Sequence, residues 1–399
     1  MTGASAYRRH GLYYPYFHVR DERWLKVAAL YWPKIVRIVP GDYRPRDSDT
    51  ARVLIDELGF IDSQPPGPSV QAVAPRFLEL LENLPETQFR ISRGDDPPLA
   101  GVRASQVDPR LAASLMRHEF AVRARRDAEL GRWIGIDYIT PRYDHGDALW
   151  LVMDERLASV YTSVLAEDFA IANRLQPTTD QLGCYTVANN WTSDRIVAAL
   201  LDEPGPRAAA TSGELAETLG FLALNLVVPD RLDDIPVGKI VEIRERYGQE
   251  FLAFGQAVDQ TAADLAELAD IRDQPMLEGY LQDEVANRFA QPVDDLRRQL
   301  QGLDVDAATM AINVKTVLPA GAGLVAGALL AGHPLIAGTS AAALGLMTMR
   351  RGARQQRDAT LQSAPAASFL LHTHDHLEPR GLLNETLRRI QRFTGTGTG

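Results

Sequence analysis

The sequence predicts an α/β or α+β amino-terminal region followed by a mainly α-helical carboxy-terminal region. Up to about residue 205, short β-branched and aromatic runs alternate with amphipathic stretches that begin at capping residues. Over residues 206–393, apolar residues instead recur every three or four positions, which is the period of a helix. Within that region, residues 317–349 contain no Asp, Glu, Lys or Arg. We therefore expect a long helical hairpin followed by an Ala/Gly-rich apolar hairpin.

The first elements of the chain follow the order strand, helix, strand. The aromatic residues 11–19 favour a strand, with Pro15 at an edge or at the strand start. Asp21 can cap an amphipathic helix that ends before Pro33, and the β-branched residues 35–39 favour a second strand. This alternation is typical of an α/β region.

The next helix has a signal at each end, because Asp47 or Ser48 can cap its start and Gly59 can end it. Further along, we expect helices over residues 75–84, 111–126 and 157–175, and strands over residues 133–139 and 149–153. The small and polar residues 203–213 are the best candidate for a linker. This places the boundary between the two regions near residue 205.

The helical region begins with two long periodic stretches, residues 240–268 and 277–303, which are separated by Pro275. Pro292 predicts a kink in the second stretch. Two long helices with a short break between them predict an antiparallel hairpin. The Thr-Gly repeat of residues 394–399 predicts a disordered tail.

Whole-chain composition excludes several classes of protein. The net charge of −10 argues against general binding to nucleic acid. The single cysteine, Cys184, excludes an internal disulfide framework and a cysteine-based zinc site within one chain. The amino terminus lacks the apolar core of a secretory signal, so we expect a cytoplasmic protein, with contact at the inner membrane left open.

The apolar run 317–349 has two interpretations. It is split by His333 and Pro334 into two arms, each too short for a conventional membrane span, so it fits two close-packed helices buried in the protein. It also fits a hairpin that lies on or inserts into a membrane, or that assembles an oligomer. Gly323 and Gly327 would then support close helix contact. An anionic membrane surface would attract the basic residues that follow the run: Arg350, Arg351, Arg354 and Arg357.

Two groups of residues are candidates for a divalent metal, although the sequence predicts no other cofactor. Asp144, His145 and Asp147 lie in one turn, where they could hold a cation or supply a general base, or could simply join two strands. His372 and His376 share one face of a helix at the spacing that suits a metal, but an exposed polar helix end has the same pattern.

Aromatic and charged residues near the amino terminus are candidates for a ligand pocket. Arg37 could meet an anion there, although such aromatic residues also form cores. Thr179 and Asp180 could bind a polar ligand or cap the following segment. The residues of the first group are Asp21, Trp24, Tyr31, Trp32 and Arg37.

Several motifs are distributed along the whole chain. They are Tyr14-Pro15-Tyr16-Phe17-His18, Trp24-Leu25-Lys26, Arg37-Ile38-Val39-Pro40, Arg156-Leu157-Ala158, Pro177-Thr178-Thr179-Asp180, Pro236-Val237-Gly238-Lys239-Ile240, Asn313-Val314-Lys315 and Ser363-Ala364-Pro365-Ala366. With these motifs the chain resembles the uncharacterised bacterial domain-of-unknown-function family 6236. The resemblance implies a bacterial protein of two parts, and it assigns no catalytic residue.

The sequence therefore favours a non-enzymatic protein that binds a ligand or partner through its amino-terminal region. Its apolar hairpin would respond by docking, assembling or meeting a membrane. One alternative is a metal-assisted hydrolase that uses Asp144, His145 and Asp147 or the aromatic pocket. A second alternative is an oligomeric scaffold with a buried hairpin.

Overall fold

The computed structural model describes residues 10–82, 89–91, 98–126, 133–135, 149–180, 192–201, 212–271, 274–301 and 359–377. Its strands are β1 (Gly11–Tyr13), β2 (Ile35–Ile38), β3 (Ile61–Gln64), β4 (Leu99–Arg103), β5 (Ala121–Arg126), β6 (Trp133–Gly135), β7 (Trp150–Asp154) and β8 (Gln176–Thr178). Its α-helices are α1 (Glu22–Tyr31), α2 (Asp49–Leu58), α3 (Ser69–Leu81), α4 (Pro109–Arg117), α5 (Glu155–Asn173), α6 (Ser193–Leu201), α7 (Ser212–Asn225), α8 (Gly238–Arg246), α9 (Gly248–Asp264), α10 (Gln274–Val285), α11 (Gln291–Gln301) and α12 (Pro365–Leu377).

The fold class predicted from the sequence is confirmed. The amino-terminal region combines strands and helices, and the described part of the carboxy-terminal region is mainly helical. The predicted domain limits and the predicted hairpin of two long helices stay predictions. In the hairpin's place the chain forms α8 and α9, then α10 and α11, with a π-helical turn at Ala286–Ala290 just before Pro292.

The first sheet is parallel and has the strand order β3-β2-β1-β8. Helix α1 connects β1 to β2, and α2 connects β2 to β3, as parallel neighbours require. The ends of both helices follow from local chemistry that the sequence analysis predicted. The carboxylate of Asp21 accepts a hydrogen bond from the backbone N–H of Trp24 at 2.8 Å. Ser48 caps α2, and Gly59 ends it with a φ of 57°.

The second sheet is antiparallel and has the order β4-β7-β5-β6. The helix predicted over residues 111–126 is wrong in its second half, because α4 ends at Arg117 and β5 begins at Ala121. Glu119, which has a φ of 59°, lies in the turn between them. The helix predicted to begin at Pro75 is also wrong, since α3 begins at Ser69 and contains that proline.

The parallel sheet separates two apolar clusters because alternate side chains point to opposite faces. Tyr13 and Ile35 lie in the first cluster, whereas Leu12 and Val36 lie in the second. The second cluster is formed with α3, α4, α5, α6 and the antiparallel sheet. The first cluster joins α1 and α2 to the helices beyond residue 212. The amino-terminal and carboxy-terminal regions therefore share a core.

Helix α1 is the centre of that shared core, and all its residues from Trp24 to Tyr31 are buried. Two cationic side chains join it to the helical region through backbone carbonyl groups. Lys26 Nζ donates to the carbonyl oxygens of Leu232, Asp233 and Ile235 at 2.8–3.0 Å. In the opposite direction, Arg244 of α8 donates to carbonyl oxygens at the end of α1. These belong to Ala29, Trp32 and Pro33.

Candidate functional site

The carboxyl ends of the parallel strands form an edge that carries several buried polar side chains, among them Arg37, Thr178 and Asp180. Strands β1, β2, β3 and β8 end at Tyr13, Ile38, Gln64 and Thr178, and the loops that follow them meet at this edge. Open α/β sheets bind ligands at this edge, outside the carboxyl ends of their strands. We call it the carboxyl edge.

Asp180 organises the loop that follows β1. Its carboxylate accepts a hydrogen bond from the Tyr13 hydroxyl at 2.8 Å and from the backbone N–H groups of Arg20 and Asp21, also at 2.8 Å. Burial, followed by the charge of Asp180, raises the pKa of Tyr13, so the phenol stays protonated and donates. The carboxylate thus lies at the amino end of α1, where an anion is favoured by the helix dipole. The chain itself supplies that anion.

Arg37 is fixed in a similar way by groups of the chain. Its guanidinium forms a bidentate ion pair with Asp47, in which Nη2 lies 2.8 Å from Oδ2. Its Nε donates to the hydroxyl of Ser63 at 2.9 Å, and Nη1 donates to the carbonyl of Phe17 at 2.8 Å. The side chain is buried and joins β2 to the loop after β1 and to β3. Asp47 is thus the anion that Arg37 contacts within the chain, and the predicted contact of Arg37 with an anionic ligand stays a prediction.

The three aromatic residues predicted for a ligand pocket lie in the first apolar cluster. Trp24, Tyr31 and Trp32 are each at least 94% buried there. Trp24 packs against Tyr13 and Phe221, with ring centroids 5.4 and 6.4 Å apart. Asp21 acts as the cap of α1, and Thr179 is buried beside Asp180. The structure brings these residues together around α1, as parts of a core and its caps.

A group of side chains that the sequence analysis missed joins the carboxyl edge to the antiparallel sheet. The rings of Phe17, Tyr43 and Trp150 have centroids 4.9–6.3 Å apart. The Arg103 guanidinium lies 5.0 Å from the Tyr43 ring and 4.8 Å from the Trp150 ring. Nε2 of His18 lies 2.8 Å from the Tyr43 hydroxyl. These residues come from four separate segments, so no local pattern identifies them.

Asp42 lies next to this group and is held by two neighbours. Ser105 Oγ donates to Oδ1 at 3.0 Å, and Arg103 Nη2 donates to Oδ2 at 3.3 Å. Arg103 also donates to the backbone carbonyl of Asp42 at 3.2 Å. Burial lowers the pKa of Arg103, and the charge of Asp42 opposes that change. The carboxylate is therefore oriented by a cation that itself contacts two aromatic rings.

A cleft of about 390 Å³ opens at the carboxyl edge beside Asp42. Its walls come from the loops after β2 and β3, the first turn of α3, and the turns before α4. Helix α3 has no side-chain cap at the end that borders the cleft. The lining residues are Pro40, Gly41, Pro65, Pro66, Gly67, Val70, Gln71, Ala104, Ser105, Val107 and Pro109.

The predicted metal ligands fall into two cases. Asp144, His145 and Asp147 lie outside the described residues. His372 and His376 lie on α12, and both rings contact Tyr247, with centroids 4.0 and 5.3 Å from the Tyr247 ring. Among the described residues, no three His, Cys, Asp or Glu side chains are grouped so that they could hold a metal ion. The two imidazoles pack against a partly buried tyrosine beside the first apolar cluster.

The residues predicted for membrane contact or assembly also lie outside the described residues. They are Gly323, Gly327, His333, Pro334, Arg350, Arg351, Arg354 and Arg357. Within the described ranges, none of the helices combines the length and the apolar character that crossing a bilayer requires.

Comparison with known proteins gives one positive result. No curated protein and no solved structure matches the chain. The model of a family of unknown function, DUF6236, matches residues 104–378, which include β5, β6 and β7 of the antiparallel sheet, the helical region as far as α12 and the apolar run. Because this match covers more than half of the chain, it confirms the resemblance found from the sequence motifs. The chain belongs to the DUF6236 family, whose function is unknown.

Proposed function

We propose that this protein binds a small molecule in the cleft at its carboxyl edge and does not catalyse a reaction. The observation that carries the proposal is the cleft itself, whose volume of about 390 Å³ lies within the usual range for ligand sites. The cleft lies at the carboxyl ends of β2 and β3, where open parallel sheets bind ligands. Binding without catalysis is also the function that the sequence favours.

The walls of the cleft support this proposal because they are rigid. Four prolines, at positions 40, 65, 66 and 109, contribute to the lining, and a proline ring fixes its own backbone angle φ. A cleft with rigid walls loses little conformational entropy when a ligand enters. Gln71 and Ser105 add a small number of polar groups to a mostly apolar surface, which is the usual composition of a ligand site.

Gly41 offers a way to close the cleft without disturbing the fold. A Cβ atom at this position would meet no heavy atom within 4 Å, so a larger side chain fits into open space. Gly41→Leu should therefore fill the cleft. Gly255→Leu in α9 is the matched control, because a Cβ at Gly255 also meets nothing within 4 Å and this glycine does not line the cleft.

The test uses phenol as a small neutral probe and the methyl NMR signals of Val70 and Val107, which line the cleft. We expect phenol to shift these signals in a saturable manner in the wild-type protein and in Gly255→Leu. Gly41→Leu should abolish the saturable shifts. Equal responses in all three proteins, or none in the wild type, would overturn the proposal.

We further infer that the apolar run 317–349 carries the response to binding, by meeting an anionic membrane or by assembling the protein. The run is uncharged and is followed by four closely spaced arginines. On either side of it, α11 and α12 pack against each other. A chain that leaves the helical region after α11 therefore returns to it at α12, as a hairpin requires.

Flotation of the full-length protein with anionic liposomes tests this inference. Membrane contact predicts flotation that is lost when Arg350, Arg351, Arg354 and Arg357 are all changed to Gln. Assembly predicts a mass above that of one chain by light scattering, without dependence on lipid. A protein that neither floats nor assembles, while retaining wild-type circular dichroism, would contradict the inference and favour a buried hairpin.

A further inference from the structure

The carboxylate of Asp42 is fixed in orientation yet open to solvent. One oxygen accepts from the Ser105 hydroxyl and the other accepts from Arg103. A carboxylate offers about four acceptor positions, so these two bonds leave acceptor capacity unused. The side chain is 49% exposed, which makes that capacity accessible to a ligand.

Arg103 gives this arrangement its rigidity. Its side chain is only 2% exposed, and its guanidinium contacts the rings of both Tyr43 and Trp150. It holds both the carboxylate and the backbone carbonyl of Asp42. A functional group whose orientation is held by a second layer of contacts is preorganised for binding.

The position of Asp42 relates the carboxylate to the cleft. The residue follows Gly41 in the chain, and it is hydrogen-bonded to Ser105, and both of these neighbours line the cleft. None of the described residues that line the cleft carries a charge. Arg110, next to the lining residue Pro109, is paired with Asp108 at 3.2 Å. The exposed Asp42 carboxylate is therefore well placed to determine the polarity of the ligand.

The apolar walls indicate the rest of the ligand. Proline rings form well-ordered apolar surfaces, and proline-rich segments pair with aromatic rings in peptide recognition. In this cleft the protein supplies the prolines. The complementary ligand would therefore supply the flat ring that packs against them. The proline walls therefore favour a flat ring, and the Asp42 carboxylate favours a hydrogen-bond donor on the same small molecule.

Resting on the proposed function, we propose that the ligand is a ring compound that carries an amine or a similar hydrogen-bond donor. Asp42 accepts from that donor, and the ring lies against the proline walls. Arg103 and Ser105 are positioning residues that act through Asp42. An anionic ring compound of the same size is disfavoured because its charge would meet that of Asp42.

The test compares benzylamine with benzoate, which have similar rings and opposite charges. Affinities are measured from the same Val70 and Val107 methyl signals. We expect benzylamine to bind about tenfold more tightly than benzoate, which corresponds to one charge-assisted hydrogen bond. Asp42→Asn should remove most of that preference. Asp49→Asn, which changes an exposed aspartate of α2, should retain it.

The outcomes separate this inference from the proposed function. If phenol binds in the cleft but benzylamine and benzoate bind equally, the ligand class is wrong and the cleft remains a binding site. The ligand class is also wrong if Asp42→Asn leaves the preference for benzylamine unchanged. If phenol gives no saturable shifts, the proposed function fails before the charge of the ligand becomes relevant.

Discussion

Cationic side chains form different kinds of hydrogen bond at helix α1 and at the carboxyl edge. At α1, Lys26 and Arg244 donate to carbonyl oxygens of the chain, and the surrounding residues form a closed apolar core. At the carboxyl edge, Arg103 is buried to a similar degree as Lys26, but it supports a carboxylate that is half exposed. The first arrangement joins two regions of the fold. The second presents a polar group to solvent.

This difference is the physical basis for placing the proposed ligand at the carboxyl edge. The three N–H donors of the buried Lys26 all meet carbonyl groups, so Lys26 has no capacity left for a partner and contributes to stability. A cation that orients an exposed carboxylate leaves that carboxylate free to accept further hydrogen bonds. Matched substitutions of the two kinds of cation by methionine therefore test the comparison directly.

Lys26→Met should have the largest effect. It leaves the carbonyl oxygens of Leu232, Asp233 and Ile235 without the donor that they share. Since an unsatisfied buried polar group costs about 1–3 kcal/mol, we expect a loss of roughly 3 kcal/mol in the free energy of unfolding. Urea denaturation measures this loss.

Lys34→Met is the control for that experiment. Lys34 pairs with Asp62 at 3.2 Å, and its side chain is 37% exposed. A surface ion pair contributes about 0–1 kcal/mol, so the control should remain close to the wild type. Equal losses in the two variants would show that the carbonyl contacts of Lys26 do not stabilise the shared core.

Arg103→Met should have a smaller effect on stability. The methionine retains apolar contact with Tyr43 and Trp150, and the half-exposed Asp42 can be solvated by water. We expect a loss of about 1 kcal/mol, the typical contribution of a hydrogen bond together with the cation–π contacts. If Arg103→Met lowers the free energy of unfolding as much as Lys26→Met does, the carboxyl edge is as inaccessible to water as the core around α1.

Local signals predicted the elements near the amino terminus well. Asp21, Ser48 and Gly59 each determine a helix end through their own side chain or backbone angle, and the structure has all three in these roles. Packing overrides such signals in α3. Pro75 would be expected to start a helix, yet the helix begins six residues earlier because Val70, Val73 and Phe77 are buried in the second cluster.

The candidate site was less accessible to sequence reasoning. Arg37 was predicted to meet the anion of a ligand, which stays a prediction, and the sequence did not predict its ion pair with Asp47. Arg103 and Trp150 come together through the pairing of β4 with β7, and Asp42 meets Arg103 from the loop after β2. Contacts of this kind depend on tertiary structure, and no residue spacing predicts them.

The smallest expected effect concerns pH at the carboxyl edge. Burial lowers the pKa of His18 below its ordinary value of 6.5. As the pH falls through 6.5, the unfolded chain therefore binds a proton that the folded chain does not, and the folded state loses stability. The loss ends once the pH is below the folded-state pKa, where both states are protonated.

His18→Gln should remove this part of the acid sensitivity while retaining a polar partner for the Tyr43 hydroxyl. Thermal unfolding between pH 7.5 and pH 5.5 measures this acid sensitivity. We expect the Tm of the variant to decrease less than that of the wild type over this range. His118→Gln, at the end of α4, controls for the removal of a histidine elsewhere. If the Tm of His18→Gln decreases as much as that of the wild type, His18 is as well solvated in the folded state as in the unfolded state. The carboxyl edge would then be more open than the contacts of His18 indicate, and its contrast with the closed core around α1 would be sharper still.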